Sequence, residues 1–157
     1  MPIVFARVDD RLIHGQIVQA WLPQLNVDEV IIPRTKRNQH TLNGGLLRLS
    51  LPYEYELSIM EAPKIAAYVA SSKRRIFLLM DSLQDFTDLL TDGVKINSVN
   101  IGGMHFKEGA QKLADNVFLD KADKHALKLI YDLGIGIETR AVPNASSIPV
   151  TEVLRDS

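Results

Sequence analysis

The sequence predicts one α/β domain built on an open, twisted and mostly parallel sheet of about seven strands with helices on both faces. Short apolar runs rich in Val and Ile recur along the chain, and amphipathic segments with helical spacing lie between them. Strands that alternate with helices pair in parallel through right-handed crossovers. A length of 157 residues suffices for a single core. No repeat or linker divides the chain, so we expect residues 1–157 to form one domain.

Five runs predict buried strands, and two weaker runs complete the sheet. The strong runs are short and rich in apolar residues, as expected for strands covered on both faces. They span residues 3–8, 30–33, 55–60, 75–80 and 98–101, and the weaker ones span 116–119 and 136–142. In the last run Ile137, Thr139 and Ala141 alternate with Glu138 and Arg140, which is typical of an edge strand.

The helical segments are predicted from apolar residues that share one face. Residues 39–50 are the weakest case, because Gly44 and Gly45 each cost a helix about 1 kcal/mol relative to Ala. The segment before Gly134 begins near Asp120 or Asp123, and a short helix is predicted over residues 150–155. The apolar faces of the four clearest segments consist of Ile17, Val18, Trp21 and Leu22; Ile65, Ala66 and Val69; Leu83, Phe86, Leu89 and Leu90; and Ala126, Leu127, Ile130 and Leu133.

Composition excludes several classes of function. The chain has no cysteine, which excludes disulfides, thiolate catalysis and cysteine-ligated metal centres. Its 18 basic and 19 acidic side chains give a net charge of −1, so no overall field favours nucleic acid or anionic lipid. No apolar run reaches the roughly 20 residues that span a bilayer, and no basic segment precedes the first strand. We therefore expect a cytoplasmic protein without direct membrane insertion.

The loop after the first predicted strand, residues 9–16, concentrates acid, base and imidazole. Ligands of open α/β sheets bind beyond the carboxyl ends of the strands. Imidazole side chains titrate near pH 6.5, so His14 can attack phosphorus through a ring nitrogen. Arg11 can bind phosphoryl oxygens, and Gly15 lets the backbone approach an anion at the start of a helix. A second interpretation stays open, in which Asp9 or Asp10 caps a turn, Arg11 pairs with one of them, and His14 is an ordinary polar residue.

A second glycine-containing loop, residues 100–109, follows the fifth predicted strand. Gly102 and Gly103 indicate either an anion-holding nest or a tight turn. His105 and His14 could together bind a metal, but the chain has no HExxH spacing, and we predict no metal site and no cofactor. The nucleotide-binding and hydrolase motifs GxxxxGK[ST], GxGxxG and GxSxG do not occur.

Both loops resemble one protein family. Residues 5–16 read FARVDDRLIHGQ, and residues 94–104 read VKINSVNIGGM. These segments are similar to two motifs of the IIB subunits of the mannose/fructose/sorbose family, which belong to the bacterial phosphoenolpyruvate-dependent sugar phosphotransferase system. The first match is nearly letter for letter, and the resemblance extends over essentially the whole chain.

The resemblance implies a phosphotransferase that carries phosphate during sugar uptake. It implies that His14 takes the phosphoryl group, on Nδ1, from a phosphohistidine of a IIA domain and passes it to sugar bound in membrane IIC and IID subunits. It also implies peripheral association with that transporter and one antiparallel edge strand in the sheet, while a homo-oligomer stays open. By the same resemblance Arg11 is expected to be a phosphate ligand. The phosphate-binding loops are expected to contain Asp10, Gly15, Gln16, Gly102 and Gly103.

The chain departs from the family pattern after two strands. Residues 33–37 read PRTKR where an acidic segment is common, and residues 81–83 read DSL where a basic or neutral turn is common. The changed charges could alter docking of the IIA domain, or indicate a regulatory module that binds a partner in a phosphorylation-dependent manner. A solvated surface that has drifted in sequence is the simpler explanation.

Overall fold

A computed structural model describes residues 2–155 of the chain. Eight strands are present among these residues: β1 Ile3–Val8, β2 Glu29–Arg34, β3 Glu56–Glu61, β4 Ile76–Met80, β5 Ser98–Ile101, β6 Gln111–Ala114, β7 Val117–Leu119 and β8 Gly136–Glu138. Six of them form the main sheet in the order β3-β2-β4-β1-β5-β8, with every neighbouring pair parallel. The other two, β6 and β7, form a separate antiparallel hairpin.

The helices cover both faces of the sheet. They are α1 Leu22–Leu25, α2 Gly44–Ser50, α3 Ala62–Ser71, α4 Leu83–Thr91, α5 Lys121–Asp132 and α6 Thr151–Arg155. A π-helical turn, Ile17–Trp21, continues directly into α1. No helix in the described part of the chain is long and apolar enough to cross a bilayer. One core lies under α3, α4, α5 and α6, and the second lies under the π-helical turn, α1 and α2.

The strand order places a crevice between β1 and β5. The connection after β1 runs toward β2 over one face, and the connection after β5 runs toward β8 over the other. Neighbouring strands whose connections leave in opposite directions form the switch point at which open α/β sheets bind ligands. The two loops singled out in the sequence follow these two strands.

The predicted fold class is confirmed, but the sheet has six strands and not seven. The predicted strand at residues 116–119 corresponds to β7 and pairs with β6. Strand β6 was not predicted from the sequence because its residues Gln111 and Lys112 are polar. Only Asp115 and Asn116 separate β6 from β7, and so short a connection forces antiparallel pairing. The main sheet lacks the implied antiparallel edge strand, because both of its edge strands are parallel to their neighbours. The antiparallel pairing lies in this separate hairpin.

Three element boundaries have identifiable causes. Helix α2 is shorter than predicted because the Asn43 side chain accepts the Leu46 N–H and caps it. Helix α5 begins with a capping box between Asp120 and Asp123, within the predicted range. Strand β8 ends earlier than predicted because side chains bind the backbone groups that follow it. The Ser147 hydroxyl accepts the Thr139 N–H, and the Arg140 carbonyl accepts from the side chains of Arg7 and Asn100.

Candidate active site

A buried ion pair lies at the carboxyl end of β1. The side chains of Arg7 and Asp9 are both fully buried, with Arg7 Nη2 3.1 Å from Asp9 Oδ2. Arg7 Nη1 donates to Asn100 Oδ1 at 2.6 Å and to the Arg140 carbonyl at 3.0 Å. A charge is stable in such a place only when it is paired and hydrogen-bonded. The pair therefore forms a fixed support beneath the loop.

Asp9 connects this support to the loop. Its Oδ2 lies 2.8 Å from His14 Nε2, and its Oδ1 accepts the Arg11 backbone N–H at 3.1 Å. Burial raises the pKa of the Asp9 carboxyl, but the hydrogen bond and charge of His14 and the charge of Arg7 outweigh it, so the pKa falls to about 2. Asp9 is thus a carboxylate at neutral pH.

The contact with Asp9 determines which nitrogen of His14 is available. A carboxylate accepts hydrogen bonds, so Nε2 must carry the proton in this contact. Nδ1 of a neutral imidazole then keeps a lone pair, and no residue in the range 2–155 hydrogen-bonds to it. The His14 side chain is 16% exposed, so its ring is held in place yet remains accessible at the surface.

Arg11 lies at the outer side of the same loop. Its side chain is 48% exposed, with Nε 3.4 Å from Asp9 Oδ1 and Nη2 3.3 Å from Gln16 Oε1. Leu12 has a positive φ of 56° and a buried side chain, an uncommon conformation that the surrounding packing must maintain. The loop is therefore anchored from within while the Arg11 guanidinium faces outward.

Gly102 and Gly103 bring the second loop against the first. The Gly102 N–H donates to the Val8 carbonyl at 2.7 Å, and the Asp10 N–H donates to the Gly103 carbonyl at 2.9 Å. A Cβ at Gly102 would lie 2.3 Å from Arg7 Nη2, and one at Gly103 would lie 3.0 Å from Asp9 Oδ1. Neither glycine has a positive φ. Both are needed here for close approach to the buried pair and not for backbone conformation.

We predict that Gly102→Ala lowers the free energy of unfolding by about 2–4 kcal/mol, because the new methyl group displaces a buried, paired guanidinium. Gly15→Ala is the matched control, since a Cβ at Gly15 would meet no atom within 4 Å. Urea unfolding followed by the fluorescence of Trp21 measures both variants. Equal stabilities of the two variants would contradict the prediction.

Asp10 links the two loops on the outside. Its Oδ2 accepts the backbone N–H of His105 at 2.7 Å and lies 2.5 Å from His105 Nδ1. The carboxylate is thus occupied by the second loop, and its sequence-predicted contact with phosphate stays a prediction. Within residues 2–155 no three His, Cys, Asp or Glu side chains form a group that could hold a metal ion.

Comparison with known proteins gives the same family over the whole chain. Residues 3–157 match the model of the family described as "PTS system sorbose subfamily IIB component". The chain belongs to this family. A sorbose-specific EIIB component of Lacticaseibacillus casei is 33% identical over 90% of this chain and 88% of its own length. The mannose-specific EIIAB component of Escherichia coli K12 is 31% identical over 98% of this chain, which corresponds to 49% of that longer protein.

A solved structure agrees with this assignment. The crystal structure of the IIBSor domain of the Klebsiella pneumoniae sorbose permease has a TM-score of 0.87 and 28% identity, and the match covers 100% of this chain and 98% of that one. IIB components of the phosphotransferase system are phosphotransferases, and membership is consistent with a phosphocarrier role in sugar uptake. The alternative of a regulatory binding module is not favoured.

Sequence analysis of this IIB chain missed the groups beneath the loop. The structure brings Arg11 next to Gln16 and Gly103, and Asp9 connects Arg11 to His14. The support residues Arg7 and Asn100 were not predicted as part of the site. A signal for Arg7 existed, because a charged residue inside an apolar strand pattern must find a buried partner.

The two departures from the family pattern contact the same residue, Asp85, in this IIB structure. Arg37 lies 2.8 Å from Asp85 and also pairs with Asp88, so the basic segment after β2 contacts the acidic start of α4. Asn38 donates to Asp81 at 3.2 Å. Burial, together with the hydrogen bond and charge of Asp85, raises the pKa of Asp81 to about 7. Arg37 is thus paired with Asp85 and Asp88, while Asp81 is hydrogen-bonded to Asn38 and Asp85.

We predict that Asp81→Asn increasingly stabilises the protein, relative to the natural chain, as pH rises from about 4 to about 7. The folded natural chain holds the Asp81 proton in this window and the unfolded chain releases it, so ionisation opposes folding. Asparagine keeps hydrogen-bonding groups without the charge. Urea unfolding over this range tests the difference, with exposed Asp115→Asn as the control. The same pH dependence in both variants would contradict the prediction.

Proposed function

We propose that this chain carries phosphate through His14 in a sugar phosphotransferase system. It accepts the phosphoryl group on His14 Nδ1 from a phosphohistidine of a IIA domain and passes it to sugar bound in membrane IIC and IID subunits. The observation that carries the proposal is the 2.8 Å contact between His14 Nε2 and Asp9, which leaves Nδ1 as the nucleophilic nitrogen. The name of the Escherichia coli relative, which combines A and B components, supports a IIA domain as donor.

The transfer step requires no metal or cofactor in this scheme. The Nδ1 lone pair of His14 forms the new N–P bond as the N–P bond to the donor imidazole breaks, and the donor nitrogen keeps that electron pair. Attack by Nδ1 places positive charge on the His14 ring, which still carries its proton on Nε2. The Asp9 carboxylate contacts that nitrogen and stabilises the charge. Asp9 thus positions the ring and compensates its charge.

Arg11 and the start of the following helix supply the positive groups that a phosphoryl group needs. Arg11 Nη1 has no hydrogen-bond partner among residues 2–155, and the side chain is 48% exposed at the loop surface. The first N–H groups of a helix lack intrahelical acceptors and favour anions. Gly15 and Gln16 lie at this start. Such groups stabilise charge on the transferring oxygens without taking part in bond formation.

The test is to label the chain from a phosphorylated IIA domain and determine the site. Phosphohistidine is labile in acid and stable in base, and nitrogen NMR distinguishes Nδ1 from Nε2 substitution. We expect one phosphoryl group on Nδ1 of His14. A label on Nε2 would contradict the role of Asp9, and an acid-stable label would contradict phosphohistidine.

We predict that Arg11→Lys slows phosphoryl transfer about 10- to 100-fold, because an ammonium cannot reproduce the bidentate geometry of guanidinium on a phosphoryl group. The exposed position of the side chain predicts little change in stability. Rapid-quench measurement of transfer from the IIA domain tests the rate, with Arg74→Lys on the distant surface as control. Transfer at the natural rate would exclude a guanidinium role.

A further inference from the structure

A cavity of about 180 Å³ lies beside the active-site loop. Four parts of the fold line it: the loop after β1, the loop after β5, the β6–β7 hairpin, and the segment 139–148. Its apolar wall consists of Ile101, Ala114, Val117, Ala141, Ala145 and Ile148. Its polar lining includes Arg11, Gln16, Asn116 and Ser146. The cavity thus combines an apolar interior with the guanidinium assigned to the phosphoryl group.

The walls of this cavity are fixed by the active-site network. Arg7 Nη1 binds the Arg140 carbonyl at 3.0 Å, and Trp21 Nε1 donates to the Ala141 carbonyl at 2.9 Å. Thr139 Oγ1 donates to the Ile148 carbonyl at 2.8 Å, which closes the segment on itself. Hydrogen bonds to buried or half-buried groups hold the segment in one conformation. A preformed cavity costs a binding partner less ordering than a mobile one.

The volume of the cavity and the charge of its lining indicate which kind of group it binds. Small-molecule sites usually measure roughly 300–1,000 Å³, so this cavity is small for a free ligand but suits one apolar side chain. Protein interfaces concentrate binding energy where a large apolar side chain fills a pocket surrounded by polar groups. Arg11 contributes to this cavity, so its occupant lies next to the phosphoryl group in transfer. A protein that presents a phosphoryl group and an adjacent apolar side chain matches both features.

We propose that the cavity receives one apolar side chain of the phosphodonor domain, which anchors that domain while its phosphoryl group contacts Arg11 and reaches His14. This inference rests on the proposed function and adds the recognition step to it. The surface around a transferred group must hold two proteins in register, since misplacement of about 1 Å costs roughly 100-fold in rate. An anchor beside the reacting atoms provides that register.

The experiment fills the cavity from two different walls. Ala114→Leu and Ala145→Leu place extra carbon atoms in it, and Ala67→Leu, on the exposed face of α3 toward the opposite edge of the sheet, is the matched control. Each variant is labelled by the phosphorylated IIA domain and, separately, by phosphoramidate, a donor too small to need an anchor. Ile148→Ala removes apolar surface without adding bulk and covers the case in which a filled variant fails to fold.

We expect the filled variants to lose about tenfold or more in kcat/KM for the IIA domain relative to phosphoramidate, through KM and not kcat. The control should keep the natural ratio. An unchanged ratio in both filled variants and Ile148→Ala would overturn the proposal. Equal losses with both donors would assign the cavity to the chemical step. A loss confined to transfer to sugar would assign the cavity to binding of the acceptor. Either result would overturn the proposal. Failure of the proposed function is distinct, because the natural chain would then take no label on His14 from either donor.

Discussion

Replacing His14 with alanine is expected to reduce phosphoryl acceptance from the IIA domain to background. The other histidine of the two loops, His105, has the opposite arrangement, because Asp10 contacts its Nδ1 and leaves Nε2 as the nitrogen with the lone pair. The fold should remain intact, since His14 contributes one surface-accessible ring to the loop. Label stoichiometry and tandem mass spectrometry under alkaline conditions measure the outcome.

The matched control is His105→Ala in the adjacent loop. His105 is 72% exposed, and the backbone N–H that binds Asp10 survives the substitution. We therefore expect one phosphoryl group per chain in this variant. Acid-labile label retained by His14→Ala would disprove the assignment of the acceptor, and label lost only in His105→Ala would move the acceptor to the second loop.

Asp9→Asn is expected to have the second largest effect, because one carboxylate binds both Arg7 and His14. Loss of the partner leaves a buried arginine charge unpaired, which lowers the free energy of unfolding by about 3–5 kcal/mol. The rate of transfer should fall roughly 10²- to 10⁴-fold, as when a histidine loses the carboxylate that sets its tautomer. Urea unfolding and rapid-quench kinetics measure the two effects.

A purely structural role for Asp9 would predict a different result. Nitrogen NMR of the folded variant should show His14 moving from the Nε2–H tautomer to a mixture of both, a change that loss of stability alone does not produce. Asp10→Asn is the control, because its side chain contacts His105 and not His14. An unchanged tautomer in Asp9→Asn, or an equal rate loss in Asp10→Asn, would exclude Asp9 as the positioning residue.

The sequence by itself determined the fold class and the candidate loop around His14. Apolar runs alternating with amphipathic segments produce parallel strands with helices on both faces, and this pattern is local. The loop with Arg11, His14 and Gln16 is also local, because these residues lie within six positions of one another. The capping box of α5 and the positive φ of Gly134 follow from short-range signals as well. Features of this kind are predictable because their causes lie within a few residues.

Only the tertiary structure decided what supports His14. Arg7 reaches Asn100 across 93 positions and the Arg140 carbonyl across 133, and Gly102 is required because that guanidinium occupies the space of a Cβ. The same holds for the cavity lined by four separate segments of the chain. Burial makes these contacts strong, and burial depends on which distant segments the sheet order brings together. The sequence therefore predicted His14 as the phosphoryl acceptor, and the fold placed Asp9 against its Nε2.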